Sequence, residues 1–102
     1  MIKVSIYQRG DYVFRFKIIS HGDPTVCAGV SALAITCVNF IKSQLKVKCL
    51  LKYEYNGGMI EFAVIDPRHE ATALILNHFV YGLEQIKKEY PKQIRIRTMT
   101  ES

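Results

Sequence analysis

One stretch of the chain brings together residue types able to do covalent chemistry: His21-Gly22-Asp23-Pro24-Thr25-Val26-Cys27-Ala28-Gly29-Val30-Ser31. An alternating, strand-like run ends at His21. Helical patterning starts near Val26, so Cys27 falls in the first turn of a helix. Unpaired backbone N–H groups and the helix dipole favour a thiolate there. A nearby imidazole takes the thiol proton and, once cationic, favours the thiolate again. Such a pair can attack an amide carbonyl. The N–H groups of Cys27 and Ala28 are candidate donors to a tetrahedral oxyanion. Gly22 and Gly29 would let a substrate backbone approach closely. The same residues also admit a plain structural reading, in which the cysteine is a small buried hydrophobe and the histidine a surface residue at a strand end.

The elements that must position this pair follow from periodicity. Ile2 to Tyr7 alternates, Gln8 to Asp11 supplies turn residues, and Tyr12 to Ser20 alternates again, with Tyr12, Phe14, Phe16 and Ile18 on one face. The two runs form a predicted hairpin. Asp23 before Pro24 is a helix-start signal, with Thr25 the alternative cap. The helix is predicted from Val26 to about Gln44 and is apolar on more than one side, so its cover should be a sheet together with another helix or subunit. Lys46 to Tyr55 is a third strand. Asn56-Gly57 carries a type I′ turn signal, and Ile60, Phe62 and Val64 mark the return strand. Asp66-Pro67 repeats the helix-start signal for a helix from about Arg68 to Glu89, which Pro91 ends. Ile94 to Arg97 is a short last strand. The order β-β-α-β-β-α-β predicts one α+β domain over residues 1–102, a mostly antiparallel sheet packed with two helices.

Composition narrows the function classes. The chain has 102 residues, 49% of them hydrophobic, which suits a single packed core rather than disorder. No apolar stretch was expected to reach the roughly 18 residues of a membrane span, because Ser31, Thr36 and Asn39 interrupt the run from Val26 to Ile41. The start of the chain lacks the apolar centre of a cleavable signal. Three cysteines (Cys27, Cys37 and Cys49) without a C-x-x-C pattern fit reduced cytoplasmic thiols better than disulfides or structural zinc. Cys37 and Cys49 sit on apolar stripes and are expected in the core. Asp66 is read as a cap, and His69 and His78 as surface or packing residues. The net charge is +5, with loose basic groups at Lys42, Lys46, Lys48 and Lys52 and at Lys87, Lys88, Lys92, Arg95 and Arg97. A non-catalytic, basic ribosome- or RNA-associated module is therefore the rival reading. The aromatics Tyr7, Tyr12, Phe14 and Phe16 would be its stacking platform, although core packing explains alternating aromatics equally.

Across nearly its whole length the chain resembles the bacterial ribosomal-processing cysteine proteases of the Prp family. The resemblance rests on Met1-Ile-Lys-Val-Ser-Ile, on Ser20-His21-Gly22, on Val26-Cys27-Ala28-Gly29-Val30-Ser31-Ala32-Leu33 with Val38-Asn39, on Tyr55-Asn56-Gly57-Gly58, and on Ile86-Lys87-Lys88-Glu89-Tyr90-Pro91 before Ile94-Arg95-Ile96. It implies a cysteine endopeptidase without cofactor that removes an N-terminal extension from large-subunit ribosomal protein number twenty-seven, and it implies a homodimer. The family's catalytic pair carries over onto His21 and Cys27. Gly22, Ala28, Gly29 and Ser31 become candidates for oxyanion and substrate contacts, and Asp23 a candidate orienting acid. Members usually carry a longer, often glycine-rich segment between histidine and cysteine, thought to gate the cleft. Here Asp23 is the nearest acid.

Overall fold

The computed structural model describes residues 1–19, 22–54 and 58–101. Strands β1 (Ile2–Arg9) and β2 (Tyr12–Ile19) form the first hairpin, and helix α1 (Pro24–Phe40) follows. Strands β3 (Cys49–Glu54) and β4 (Met59–Val64) form a second antiparallel pair, then come helix α2 (Glu70–Glu89) and strand β5 (Ile94–Glu101). The sheet order is β3-β4-β2-β1-β5. Only the β1–β5 pair is parallel, as the crossover through α2 requires. The expected α+β architecture is present in the expected order. The predicted Asn56-Gly57 turn and the end of the second strand at Ser20 lie outside the described residues.

One face of the sheet carries the core. Ile2, Val4 and Ile6 of β1, Phe16 and Ile18 of β2, Ile60, Phe62 and Val64 of β4 and Ile94 of β5 project from it against Val26, Val30, Ala34, Val38 and Ile41 and against Leu76, Phe79 and Leu83 of α2. Phe16 is central, its ring 4.4 Å from that of Phe79 and 5.7 Å from that of Phe62. The two helices meet closely at Gly82, where a Cβ would stand 3.0 Å from Leu33 Cδ1.

Three local features depart from the sequence expectation. First, β2 does not alternate throughout. Tyr7 pairs with Arg15 but Gln8 pairs with Val13, so Phe14 is the extra residue of a β-bulge. The phase flips there: Val13 is buried, Tyr12 is exposed and Phe14 is half-buried beneath the Arg9 guanidinium. Second, the first helix does not run as α-helix to Gln44. After Phe40 it widens into a π-turn, Ile41–Leu45, closed by the Lys46 N–H donating to Ile41 O at 2.9 Å. Ser43 Oγ donates back to Asn39 O at 2.7 Å, a bond that bends helices, and Lys46 ends the run in the left-handed region at φ 55°. Third, α2 starts at Glu70 rather than Arg68. Asp66 does not cap it; its carboxylate accepts from Arg68 N and pairs with the Arg68 guanidinium. The cap is His69, whose Nδ1 accepts from Thr72 N at 3.3 Å and lies 3.0 Å from Thr72 Oγ1.

Against expectation, the helical run Pro24–Leu45 is by length and composition long and apolar enough to cross a bilayer. In this fold Val26, Val30, Ala34, Cys37, Val38 and Ile41 along it pack into the core cluster.

Candidate active site

Helix α1 begins as the sequence predicts, and its first turn sets the chemistry. Asp23 is the N-cap, with φ −54° and ψ 129°. Its Oδ1 accepts from Thr25 N at 2.9 Å and from Val26 N at 3.3 Å. Pro24, the first helical residue, has no N–H to satisfy. The Cys27 N–H donates to Asp23 O at 2.9 Å and closes the first helical bond. Every backbone donor from Thr25 to Cys27 is thus engaged within the helix start. The expected use of the Cys27 N–H as an oxyanion donor is not available in this arrangement, because a residue in the fourth helical position already has an intrahelical acceptor. The dipole of α1 still points its positive end at this turn.

The Cys27 side chain is half-buried and packs on the edge of the core. Ala28 is exposed and Ser31 half-buried. Gly22 is exposed and rests on the start of the sheet: a Cβ there would meet Ile2 Cγ1 at 3.4 Å and Gln93 Oε1 at 3.7 Å. Ile2 N donates to Gln93 O at 2.9 Å, so the short segment before α1 lies over the place where β5 joins β1. Gly29 is half-buried on the side of α1 toward α2. Its Cα faces α2, where a Cβ would sit at ordinary contact distance, 3.6 Å from Ile86 Cδ1. His21, the predicted base, lies outside the described residues.

The remaining thiols separate by burial. Cys37 is buried, and burial pushes its thiol up from 9.0 to about 12, which removes it as a nucleophile near neutral pH. Cys49 is half-buried at the start of β3. Both match the core positions expected of them, Cys49 at the rim. Among the described residues no cluster of three or more His, Cys, Asp or Glu side chains suits a metal ion. A hollow of about 650 Å³ is lined by Val47, Lys48, Ile65, Asp66, Arg68 and His69. It lies beyond the C-terminal end of the first helical run, away from Cys27.

One grouping was missed by the sequence reading. Basic residues far apart in the chain, Lys3, Lys17, Arg95 and Arg97, meet on the sheet face that carries no helix. Of the two basic clusters seen in the sequence, Arg95 and Arg97 of the second take part, joined by Lys3 and Lys17, which belong to neither. The signal lay in the outward positions of β1, β2 and β5 together, and it needed the strand order to be read.

Comparison with known proteins adds an independent line. Residues 1–95 match the family model described as cysteine protease Prp. The ribosomal processing cysteine protease Prp of Staphylococcus aureus is 32% identical over 76 residues, 74% of this chain and 72% of that protein. The Bacillus subtilis protein of the same name is 30% identical over 82 residues, 76% of this chain and 73% of that protein. Among solved structures, an essential ribosomal processing protease Prp from S. aureus, in complex with a covalently linked product peptide, superposes with a TM-score of 0.90. It is 29% identical, and the match covers 97% of this chain and 100% of that one.

Proposed function

Since the chain belongs to the cysteine protease Prp family, we propose that Cys27 and His21 are its working pair and that it trims the N-terminal extension of a ribosomal protein precursor. The observation that carries the reading is the half-buried Cys27 in the capped first turn of α1, in a fold shared with a protease that holds a covalently linked peptide. His21 takes the proton from Cys27 Sγ, and the thiolate attacks the scissile carbonyl carbon. A C–S bond forms as the C=O π pair moves onto oxygen. His21 then gives its proton to the leaving amine as the C–N bond breaks, and water, deprotonated by His21, hydrolyses the thioester. The helix dipole stabilises negative charge at this turn throughout. Gly22, Ala28 and Ser31 serve as substrate contacts. Asp23 acts as a positioning residue that fixes how the chain enters the helix.

A second copy of the chain is the proposed cover for the apolar edge of α1. Ile35 and Leu51 are each 41% exposed and Tyr53 is 46% exposed. With Val38, Asn39 and Ile60 they line a hollow of about 250 Å³ between α1 and the β3–β4 hairpin. The free thiols Cys27, Cys37 and Cys49 fit a reducing compartment, and the cytoplasm is the proposed location.

The test is cleavage of the extended ribosomal protein by the purified chain under reducing conditions. Processing that is lost in both Cys27→Ala and His21→Ala supports the assignment. No processing by the parent chain, or full processing by Cys27→Ala, overturns it. Equilibrium sedimentation of the parent and of Ile35→Glu tests the dimer: a parent that sediments as monomer at micromolar concentration refutes it.

A further inference from the structure

We propose that the helix-free face of the sheet is a binding surface for single-stranded RNA, separate from the peptidase centre. Register alone assembles it. On β1 the outward residues are Lys3, Ser5 and Tyr7, because Ile2, Val4 and Ile6 are buried. Lys3 stands directly across from Ile19 of β2 and Arg95 of β5, and Ser5 across from Lys17 and Arg97. Lys3, Lys17, Arg95 and Arg97 therefore surround Ser5 and line one hollow of about 230 Å³, which no acidic side chain lines. None of the four makes an ion pair among the described residues. Glu61 of β4 stands directly across from Lys17; its carboxylate is bonded by Arg15, with Lys17 a weaker electrostatic neighbour, and the Arg15 guanidinium lies 4.5 Å from the centre of the Tyr7 ring.

Charge and spacing choose the occupant. Lys3 directly opposite Arg95 is a like-charge cross-strand pair, a destabilising arrangement that a bound polyanion relieves. On β5 Arg95 and Arg97 stand two residues apart, about 6.6 Å, a spacing that suits the regular phosphates of an extended single strand better than the irregular carboxylates of an acidic peptide. Arginine guanidinium groups bind phosphate through paired N–H donors. Tyr7 and the Ser5 hydroxyl sit beside the cations, giving the mixed basic and aromatic surface on which single strands lie. A lipid surface fits poorly, because Ile19 is the one outward apolar side chain lining the hollow.

The test is fluorescence anisotropy of a labelled oligouridylate with the intact chain over a salt series. Four phosphate contacts on a single strand give a slope of log K against log salt of about −3, or roughly fifty-fold weaker binding between about 50 and about 200 mM salt. Lys17→Gln with Arg97→Gln should halve that slope, to roughly a seven-fold change over the same range. Lys3→Gln with Arg95→Gln should do the same, and it removes a like-charge pair, so this second variant is expected to stay folded. Lys87→Gln with Lys88→Gln, on α2, should change neither affinity nor slope. The proposal is overturned if oligouridylate does not bind at about 50 mM salt, if both face variants bind as the parent does, or if oligoglutamate competes with equal affinity and the same dependence on the four residues.

Discussion

The most discriminating perturbation is at Asp23, because one residue carries two separable expectations. As an N-cap its Oδ1 accepts from Thr25 N and Val26 N, and truncating such a cap costs about 1 kcal/mol, within a range of about 0.5–2. The carboxylate also faces the positive end of α1, which adds about 0.3–1 kcal/mol at low salt and less when screened. Asp23→Ala removes both contributions, so the expected loss is about 1–2 kcal/mol, a fall in Tm of roughly 5–15 °C for a domain of this size. Asp23→Asn and Asp23→Ser keep the cap and lose only the charge, so they should stay within about 1 kcal/mol of the parent. Urea denaturation gives the stabilities, and precursor cleavage measured on the same samples gives kcat/KM. If Asp23 only positions the helix start, Asp23→Asn keeps turnover within a few-fold of the parent, and Asp23→Ala loses it in step with the loosened first turn. A stable Asp23→Asn that has lost turnover by orders of magnitude would refute this reasoning and make the carboxylate an orienting acid for the imidazole. An Asp23→Ala as stable as the parent would refute the cap.

Further outcomes follow from other sites. Iodoacetamide under native conditions at neutral pH should label Cys27 and spare Cys37, whose thiol burial holds at about 12; peptide mapping that finds Cys37 alkylated first would contradict this. The same burial gives a sign in base. The unfolded chain loses the Cys37 proton near 9.0 while the folded chain keeps it to about 12, so stability should fall as pH rises through that window, and Cys37→Ala should flatten the fall. In acid, hydrogen bonds from Arg68 hold the Asp66 carboxyl at about 2 against the usual 3.8. Its contribution is present above about 4 and is lost as pH falls toward 2, and an NMR titration of Asp66 centred near 3.8 would refute the pairing. Gly82→Ala should gain about 1 kcal/mol of helix propensity but press a Cβ to 3.0 Å from Leu33 Cδ1. We expect a net loss that Leu33→Ala relieves, with a coupling of about 0.5–1 kcal/mol in a double-mutant cycle; simple additivity would show that Leu33 moves aside freely.

What was legible in the sequence were features carried by local signals. Asp23-Pro24 fixed the start of α1 because cap and proline act within one turn. The inward sets Ile2/Val4/Ile6 and Ile60/Phe62/Val64 followed from strict alternation. Hidden were features that depend on a partner elsewhere in the chain. The bulge at Phe14 is a property of the pair, two residues of β2 against one of β1, so alternation read from one strand put Tyr12 and Phe14 inward and Val13 outward. The second Asp-Pro resembled the first, but Asp66 accepts from Arg68 N in an Asx turn and it is His69 Nδ1 that accepts from Thr72 N. That Gly29 faces Ile86 of α2 could likewise not be read from α1 alone.

The same distinction orders the function. Cys27 sits in a capped helical turn that local sequence builds almost unaided, through Asp23 and Pro24. The core it packs against is organised around the rings of Phe16, Phe62 and Phe79. The charge on the reverse face, by contrast, exists only because the parallel crossover through α2 lays β5 beside β1. Moving β5 to the other edge of the sheet would leave the cysteine's helical turn intact and scatter Lys3, Lys17, Arg95 and Arg97. The turn that carries Cys27 and the basic face are therefore separable by mutation, and substitutions on the open face should alter binding of polyanions without altering cleavage of a short peptide.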